Sequence, residues 1–266
     1  VNTNSAGLER RNSLFKLENN LIFGKNRESK MAEKKRTKKV FRFAASLFLT
    51  VVFCIMALPV GAQEDLKPQI LVDQALVTLN NFVAEADMAW FKDHLKDAKG
   101  VFIVPQLLKA GFIFGGSGGR GVVLLRDPKT GRWGQPAFYD IGSVSFGLQI
   151  GGESSEVIMQ IRTERGMESL YGSSFKLGGD TSVALGPVGA GAAGKGVAAD
   201  LVSFSRAQGA FAGLALDGSV IKVNDDFNKD YYGKEVRPVN ILVQKDVSNP
   251  RSANLREGLY KAERGK

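Results

Sequence analysis

Between Gly100 and Val223 the chain is written in short runs of β-branched and aromatic residues, with glycine between or inside nearly every run. VFIVP, GFIFGG, GVVLLRD, AFYDIGSVSFGLQIGG, EVIMQIRT and LVSFSRAQGAFAGLALDGSVIKV follow in order. DPKTGRW and GGESS stand in the joints as turn signals. Short strands at close spacing with glycine punctuation predict a largely antiparallel sheet, curled into a barrel or a sandwich. Glycine inside such strands permits strong bending and close backbone approach. A short helix is expected near Arg165 to Tyr171, and the series exits through DDFNKDYYGK.

Ahead of the sheet, residues 66–98 carry a helical pattern. Leu71, Ala75, Leu79, Phe82, Val83 and Ala86 recur at steps of three and four and line one face. Pro68 suits a first helical position, a break is expected near Glu85 to Asp87, and Gly100 reads as the stop. Trp90, Phe91, His94 and Leu95 continue the amphipathic pattern, with Lys92, Lys96 and Lys99 on other faces. After Val236, PVNILVQKDV reads as one more strand and SANLREGLYKAERGK as a short, exposed, charged helix. The fold class expected is α+β: N-terminal amphipathic helices packed on a strongly bent, largely antiparallel sheet, in a single domain.

The formal net charge of +9 points at first to an anionic partner, but its position in the chain argues otherwise. From Met31 the sequence runs through the basic AEKKRTKKVFR and the apolar FAASLFLTVVFCIMAL to PVGAQ, with Val60 and Ala62 at the small-residue positions before Gln63. That order is the pattern of a cleavable secretory signal. The rival, a membrane anchor, wants about 20 apolar residues. Removing residues 1–62, which hold 12 Lys and Arg against 4 Asp and Glu, leaves 24 against 23. The processed chain is near neutral, which takes away the compositional case for nucleic acid. The single Cys54 leaves with the signal, so no disulfide is expected despite the export address. Five segments result. Residues 1–30 are an upstream extension, non-native or disordered, and 31–62 the signal peptide. Residues 63–99 are the helical part, 100–235 the β-rich core, and 236–266 a partly ordered tail.

Two glycine motifs imitate phosphate-binding loops. Gly116, Gly118 and Gly121 fall at the G-x-G-x-x-G spacing of dinucleotide folds. Such a loop needs a helix after it, whose N-terminus holds the pyrophosphate. Here GVVLLRDPKTG follows, a β-branched run ended by a turn, so the glycines read as a hairpin connection. Gly189 to Gly196, GAGAAGKG, resembles a phosphate loop but has Gly196 where Ser or Thr should hold Mg²⁺; a loop or tight backbone packing is the expectation. One histidine, His94, and no retained cysteine argue against zinc, and no serine sits in a nucleophile-elbow context. Catalytic residues, metal ligands and cofactor or nucleotide sites are therefore expected to be absent. The remaining enzymatic alternative is a hydrolase using the carboxylates Glu153 and Glu156 or Asp225 and Asp226.

From about Ala98 to Gly233 the chain resembles the SYLF domain family. The resemblance is carried by AKGVFIVP, KAGFIFGG, Trp133 with Pro136, GLQIGG with Gln149, LGGDTSVALGPVG, SFSRAQGAFAG with Ser205 and Arg206, LDGS, and Asn228 before Tyr231 and Tyr232. Phe204 stands where many relatives have Tyr, and Gln208 where many have Lys. The resemblance implies non-catalytic binding of phospholipid, helped in eukaryotic relatives by an amphipathic N-terminal segment, with actin binding in some of them. An exported address removes actin as an ordinary partner. Aromatic anchoring beside cations then suggests a helix and loop patch of Trp90, Phe91, Lys92, Lys96, Lys99 and Arg206 on anionic lipid. Core burial of Trp90 and Phe91 is the competing expectation, since helices beside a sheet usually bury their aromatics. The expected setting is periplasmic or secreted. The alternative function is an envelope protein-interaction or structural module.

Overall fold

Pro68 opens helix α1 (Pro68–Ala84), where its missing N–H costs nothing. Leu71, Val72, Ala75, Leu79 and Phe82 form the buried stripe. The break expected near Glu85 is present: a 3₁₀ turn at Ala86–Met88 separates α1 from α2 (Ala89–Leu95). Lys92 Nζ reaches back to the carbonyl oxygens of Val83 and Glu85, at 3.4 and 3.0 Å, and satisfies the end of α1. Gly100 does not stop the helix, which ends at Leu95; it begins the first strand. Its role is close approach, because a Cβ there would lie 2.5 Å from Leu125 Cδ2 and 2.8 Å from the Leu124 oxygen.

The computed structural model describes residues 68–111, 114–146, 151–189, 191–192, 195–207, 210–212 and 216–265. The chain divides into Val1–Glu64 and Asp65–Lys266, and all described residues belong to the second unit. The segments expected to be an export signal and an upstream extension lie outside them, as does Gln208.

Among the described residues nine strands form one sheet. They are β1 (Gly100–Gly111), β2 (Phe114–Leu125), β3 (Ala137–Phe146), β4 (Gly151–Ile161), β5 (Ser174–Lys176), β6 (Val183–Leu185), β7 (Leu201–Ala207), β8 (Ala210–Ala212) and β9 (Val220–Val223). The order is β5-β9-β3-β2-β1-β4-β7-β6, with β8 also on β7, and every pairing is antiparallel except β6 with β7. GGESS belongs to the start of β4 rather than to a joint. The sheet has to curl. Residues 177–182, which join its two end strands, reach at most about 25 Å, whereas a flat sheet would hold those strands roughly 34 Å apart. A bridge between Leu177 and Thr181 marks the approach of the edges.

Curling gives the sheet an interior and an exterior. Phe102, Val104, Leu107, Tyr139, Met159, Ile161 and Ile221 fill the interior. Val101, Ile103, Val122, Leu124, Phe138, Ile158 and Phe204 face outward under the helices. Strand β1 keeps both faces apolar by means of one extra residue around Val104–Pro105, where its register slips against β2 and β4. A proline in a central strand is tolerated at such a bulge.

The bulge explains the last glycine of the first motif, and the strand that holds all three corrects its reading as a hairpin connection. Gly116, Gly118 and Gly121 lie inside β2, and none has positive φ. The β1–β2 turn falls earlier, between Gly111 and Phe114. A Cβ at Gly121 would stand 2.4 Å from the Ile103 oxygen, and one at Gly119 2.5 Å from the Gln106 oxygen. The bulged backbone of β1 presses where those side chains would be. The second motif is a loop. Gly189 and Gly191 have φ of +93° and +84°, the Gly189 N–H donates to the Asp87 oxygen at 3.0 Å, and strand β7 follows rather than a helix.

Of the remaining helices, the first packs Met167 against the interior cluster and the other two cover the exterior. They are α3 (Glu164–Glu168), near the expected position, α4 (Asp225–Tyr232) and α5 (Ala253–Ala262). Asn224 caps α4 by accepting from the Phe227 N–H, and Gly233 ends it in the left-handed region. The strand expected in PVNILVQKDV is instead a π-helical turn at Asn240–Gln244. The terminal helix forms, but it is not simply exposed: Leu255, Leu259 and Ala262 join the core beside Leu71 and Leu79.

Candidate functional site

The six residues expected to meet lipid do not converge. Trp90 is 1% exposed and Phe91 0%. Trp90 stacks on His94 at 4.0 Å between ring centres, donates from Nε1 to the Lys195 oxygen at 2.8 Å, and lies under the Arg162 guanidinium. Phe91 meets Phe82 and Phe204 edge-on. Both rings therefore take the competing role of core residues, because α2 turns its aromatic side onto the sheet exterior. Lys92 is consumed by the α1 carbonyls. Lys99 pairs with Glu164 at 2.6 Å, and Lys96 is exposed. Arg206 pairs with Glu156 at 2.9 Å. Arg206 lies five residues along β7 from the end where Ile161, facing Leu201, receives the Lys99 N–H. At the usual strand rise that separation is about 17 Å.

The carboxylates suggested for hydrolysis do not pair either. Glu156 lies on the exterior, where Oε1 accepts from Thr78 Oγ1 and Asn81 Nδ2, each at 2.9 Å. Glu153, three positions earlier, stands on the other face, since strand side chains alternate. Asp225 and Asp226 occupy the first turn of α4, where negative charge complements the helix dipole. Other acids hold structure. Asp200 is pushed up by burial, but hydrogen bonds from Arg165, Ser182 and Thr163 outweigh this and hold it well below the usual carboxylate range. Glu263 Oε2 accepts from Arg126 Nε at 3.2 Å and Trp133 Nε1 at 3.3 Å, tying the end of α5 to the sheet. Among the described residues no group of three or more His, Cys, Asp and Glu is arranged to hold a metal ion.

A different surface stands out at the end of the sheet away from Gly100. Antiparallel register fixes which residues share a face there. One exterior row runs Lys176, Val220, Gly142, Gly118, Leu108, Ser154. The next runs Val144, Gly116, Ala110, Gly152. Val144 is 79% exposed, Leu108 52% and Val220 44%. One row closer to the helices the face turns charged, with Lys222, Asp140 and Arg120 side by side. Arg120 Nε lies 3.4 Å from Asp140, and its guanidinium covers the Phe227 ring. On the interior face at the same level stand Glu153, Lys109, Ser117 and Ser143, the two serines 2.8 Å apart. The end of the sheet is thus apolar outside and polar inside, the reverse of a water-soluble barrel mouth. Sequence reasoning missed this surface. Its signal is the period-two alternation in LLKAG and GSVSF, masked by glycine.

A family profile described as "Ysc84: Las17-binding protein actin regulator" matches residues 142–262. "SH3 domain-containing YSC84-like protein 1" of Bos taurus is 32% identical over 167 residues, 61% of this chain and 47% of that protein. The protein of the same name in Mus musculus is 33% identical over 167 residues, again 61% of this chain and 47% of that protein. "LAS seventeen-binding protein 3" of Saccharomyces cerevisiae is 34% identical over 169 residues, 61% of this chain and 36% of that protein. The chain spans about half or less of these relatives' length. By the order of its motifs and by these matches, the chain is similar to the SYLF (Ysc84) family.

Proposed function

We propose that this domain is a non-catalytic module that binds phospholipid in the cell envelope, delivered there by the segment Met31 to Ala62. The observation that carries the reading is the disposition of side chains. The buried and half-buried acids described above serve internal networks, while an apolar stretch of the sheet exterior is left uncovered. A binding surface of this kind has no reacting groups to position; it offers area. The test is flotation with vesicles of zwitterionic lipid and of anionic lipid. Protein rising with neither vesicle would remove the reading.

The printed names of the relatives support a second reading, in which the same surface docks a protein. Retention of an envelope protein that competes with vesicles would favour it, and unchanged retention after Val144→Asp would count against it.

A further inference from the structure

We propose that the domain meets the bilayer through the exterior of its sheet end, and that the ligand is the acyl-chain border of one leaflet rather than a charged headgroup. This rests on the phospholipid reading above. It replaces the helix patch with Leu108, Val144 and Val220 as the inserting side chains.

Four observations select lipid as the occupant. The first is charge. From the Gly118 row outward the described exterior of β1–β4 carries none, and in sequence the residues joining these strands, Phe112-Ile113 and Gly147-Leu148-Gln149-Ile150, carry none either. An uncharged face matches an uncharged phase. The second is alternation. Apolar residues outside and Lys109, Glu153, Ser117 and Ser143 inside is the pattern of strands that face lipid on one side only. The third is the border. Lys222, Arg120 with its partner Asp140, and Lys176 stand where the apolar rows begin, at the level of the polar headgroups once the rows beyond enter the leaflet. The fourth is the backbone. Strands β1 and β2 are hydrogen-bonded on both sides through this region, so their peptide groups tolerate an apolar medium.

The same backbone limits the depth. Among the described residues, β3 beyond Gly142 pairs only with β2, and β4 from Gly151 to Ser154 only with β1. Their outer edges need water or headgroups, so deep insertion is disfavoured. From Gly118 to Phe114 is about 13 Å at the usual strand rise, which fits within one leaflet's share of a hydrocarbon core of about 30 Å. The glycine rows have a consequence for shape. Without side chains at Gly116, Gly118, Gly142 and Gly152, Leu108 and Val144 stand proud of a smooth sheet and can enter between chains.

The test uses the processed protein from Gln63, which retains no cysteine, with one cysteine added at Leu108→Cys, Val144→Cys or Val220→Cys and labelled with an environment-sensitive fluorophore. Val243→Cys, exposed on the π-helical turn, is the control. Vesicles are phosphatidylcholine alone or mixed with phosphatidylglycerol. The three sheet labels should brighten and shift to the blue with both vesicle types, at low and high salt, and the control should not. Val144→Asp in the labelled Leu108→Cys protein should weaken the vesicle response about tenfold, from the loss of one buried aliphatic side chain. Protein that floats while all three sheet labels stay unchanged overturns the surface and leaves the phospholipid reading standing. Failure to float overturns both. A response confined to phosphatidylglycerol and lost in salt overturns the acyl-border mechanism. A blue shift without vesicles that grows with protein concentration assigns the surface to a second copy instead.

Discussion

At the scale of single residues, the glycines of β2 separate by what their neighbours allow. Gly121 faces the Ile103 carbonyl and the Phe102 ring, whereas a Cβ at Gly118 would meet nothing within 4 Å. Gly121→Ala should therefore cost about 1–3 kcal/mol through overpacking. Gly118→Ala should be neutral or slightly stabilising, because glycine loses the most chain entropy on ordering. Urea unfolding of the two variants checks this; equal losses at both positions would contradict the bulge account. The contrast bears on legibility. The sequence showed that no helix follows the G-x-G-x-x-G spacing, which was enough to reject a nucleotide. It could not show that Pro105, on the neighbouring strand, bulges the backbone into the space Gly121 leaves. Trp90 and Phe91 pose the same difficulty. An aromatic beside lysines on a helix reads equally as anchor or core, and only the presence of Phe204 and Lys195 above it decides.

At the scale of elements, α1 and its break were legible because three- and four-residue periodicity, Pro68 and the polar Glu85 to Asp87 step agree locally. The tail was not. PVNILVQKDV has strand composition, yet it closes as a π-helical turn whose Ile241 and Leu242 pack into the interior cluster. SANLREGLYKAERGK looks exposed until its apolar residues are seen against α1. Leu259, fully buried, measures that contact: Leu259→Ala should destabilise the domain by about 2–5 kcal/mol. A loss below the usual surface range in thermal or urea unfolding would show that α5 is dispensable. Glu156 couples α1 to β4 and β7 through Thr78, Asn81 and Arg206. Glu156→Ala should cost about 1–3 kcal/mol, since it strands half-buried donors. A double-mutant cycle with Asn81→Ala should be non-additive if the pair shares one network.

At the scale of the whole molecule, stability should decline in acid through Asp200. Its carboxyl is held below the ordinary value of about 3.9 that it has in the unfolded chain. The unfolded state therefore takes up the proton first as pH falls, and the contribution present above about pH 4 is lost progressively below it. Asp200→Asn should be less stable at neutral pH and should flatten the acid limb of the stability curve; an unchanged limb would assign acid sensitivity elsewhere. At the alkaline end, burial raises the Tyr139 hydroxyl, which donates to the Leu170 oxygen at 2.6 Å. That raised group favours the fold below the unfolded tyrosine value of about 10, with the benefit fading as pH rises through it.

What the sequence determined by itself was local: strand and helix periods, the proline start, the glycine spacing without a following helix, and a family likeness resting on motif order. These follow from interactions among residues close along the chain. Which face each residue takes was decided by the tertiary structure. The bulge at Val104–Pro105 shifts the alternation of β1 by one, and the curl of the sheet puts one face of every strand inside. Only with that parity set do Leu108, Val144 and Val220, drawn from three separate strands, lie together on the exterior.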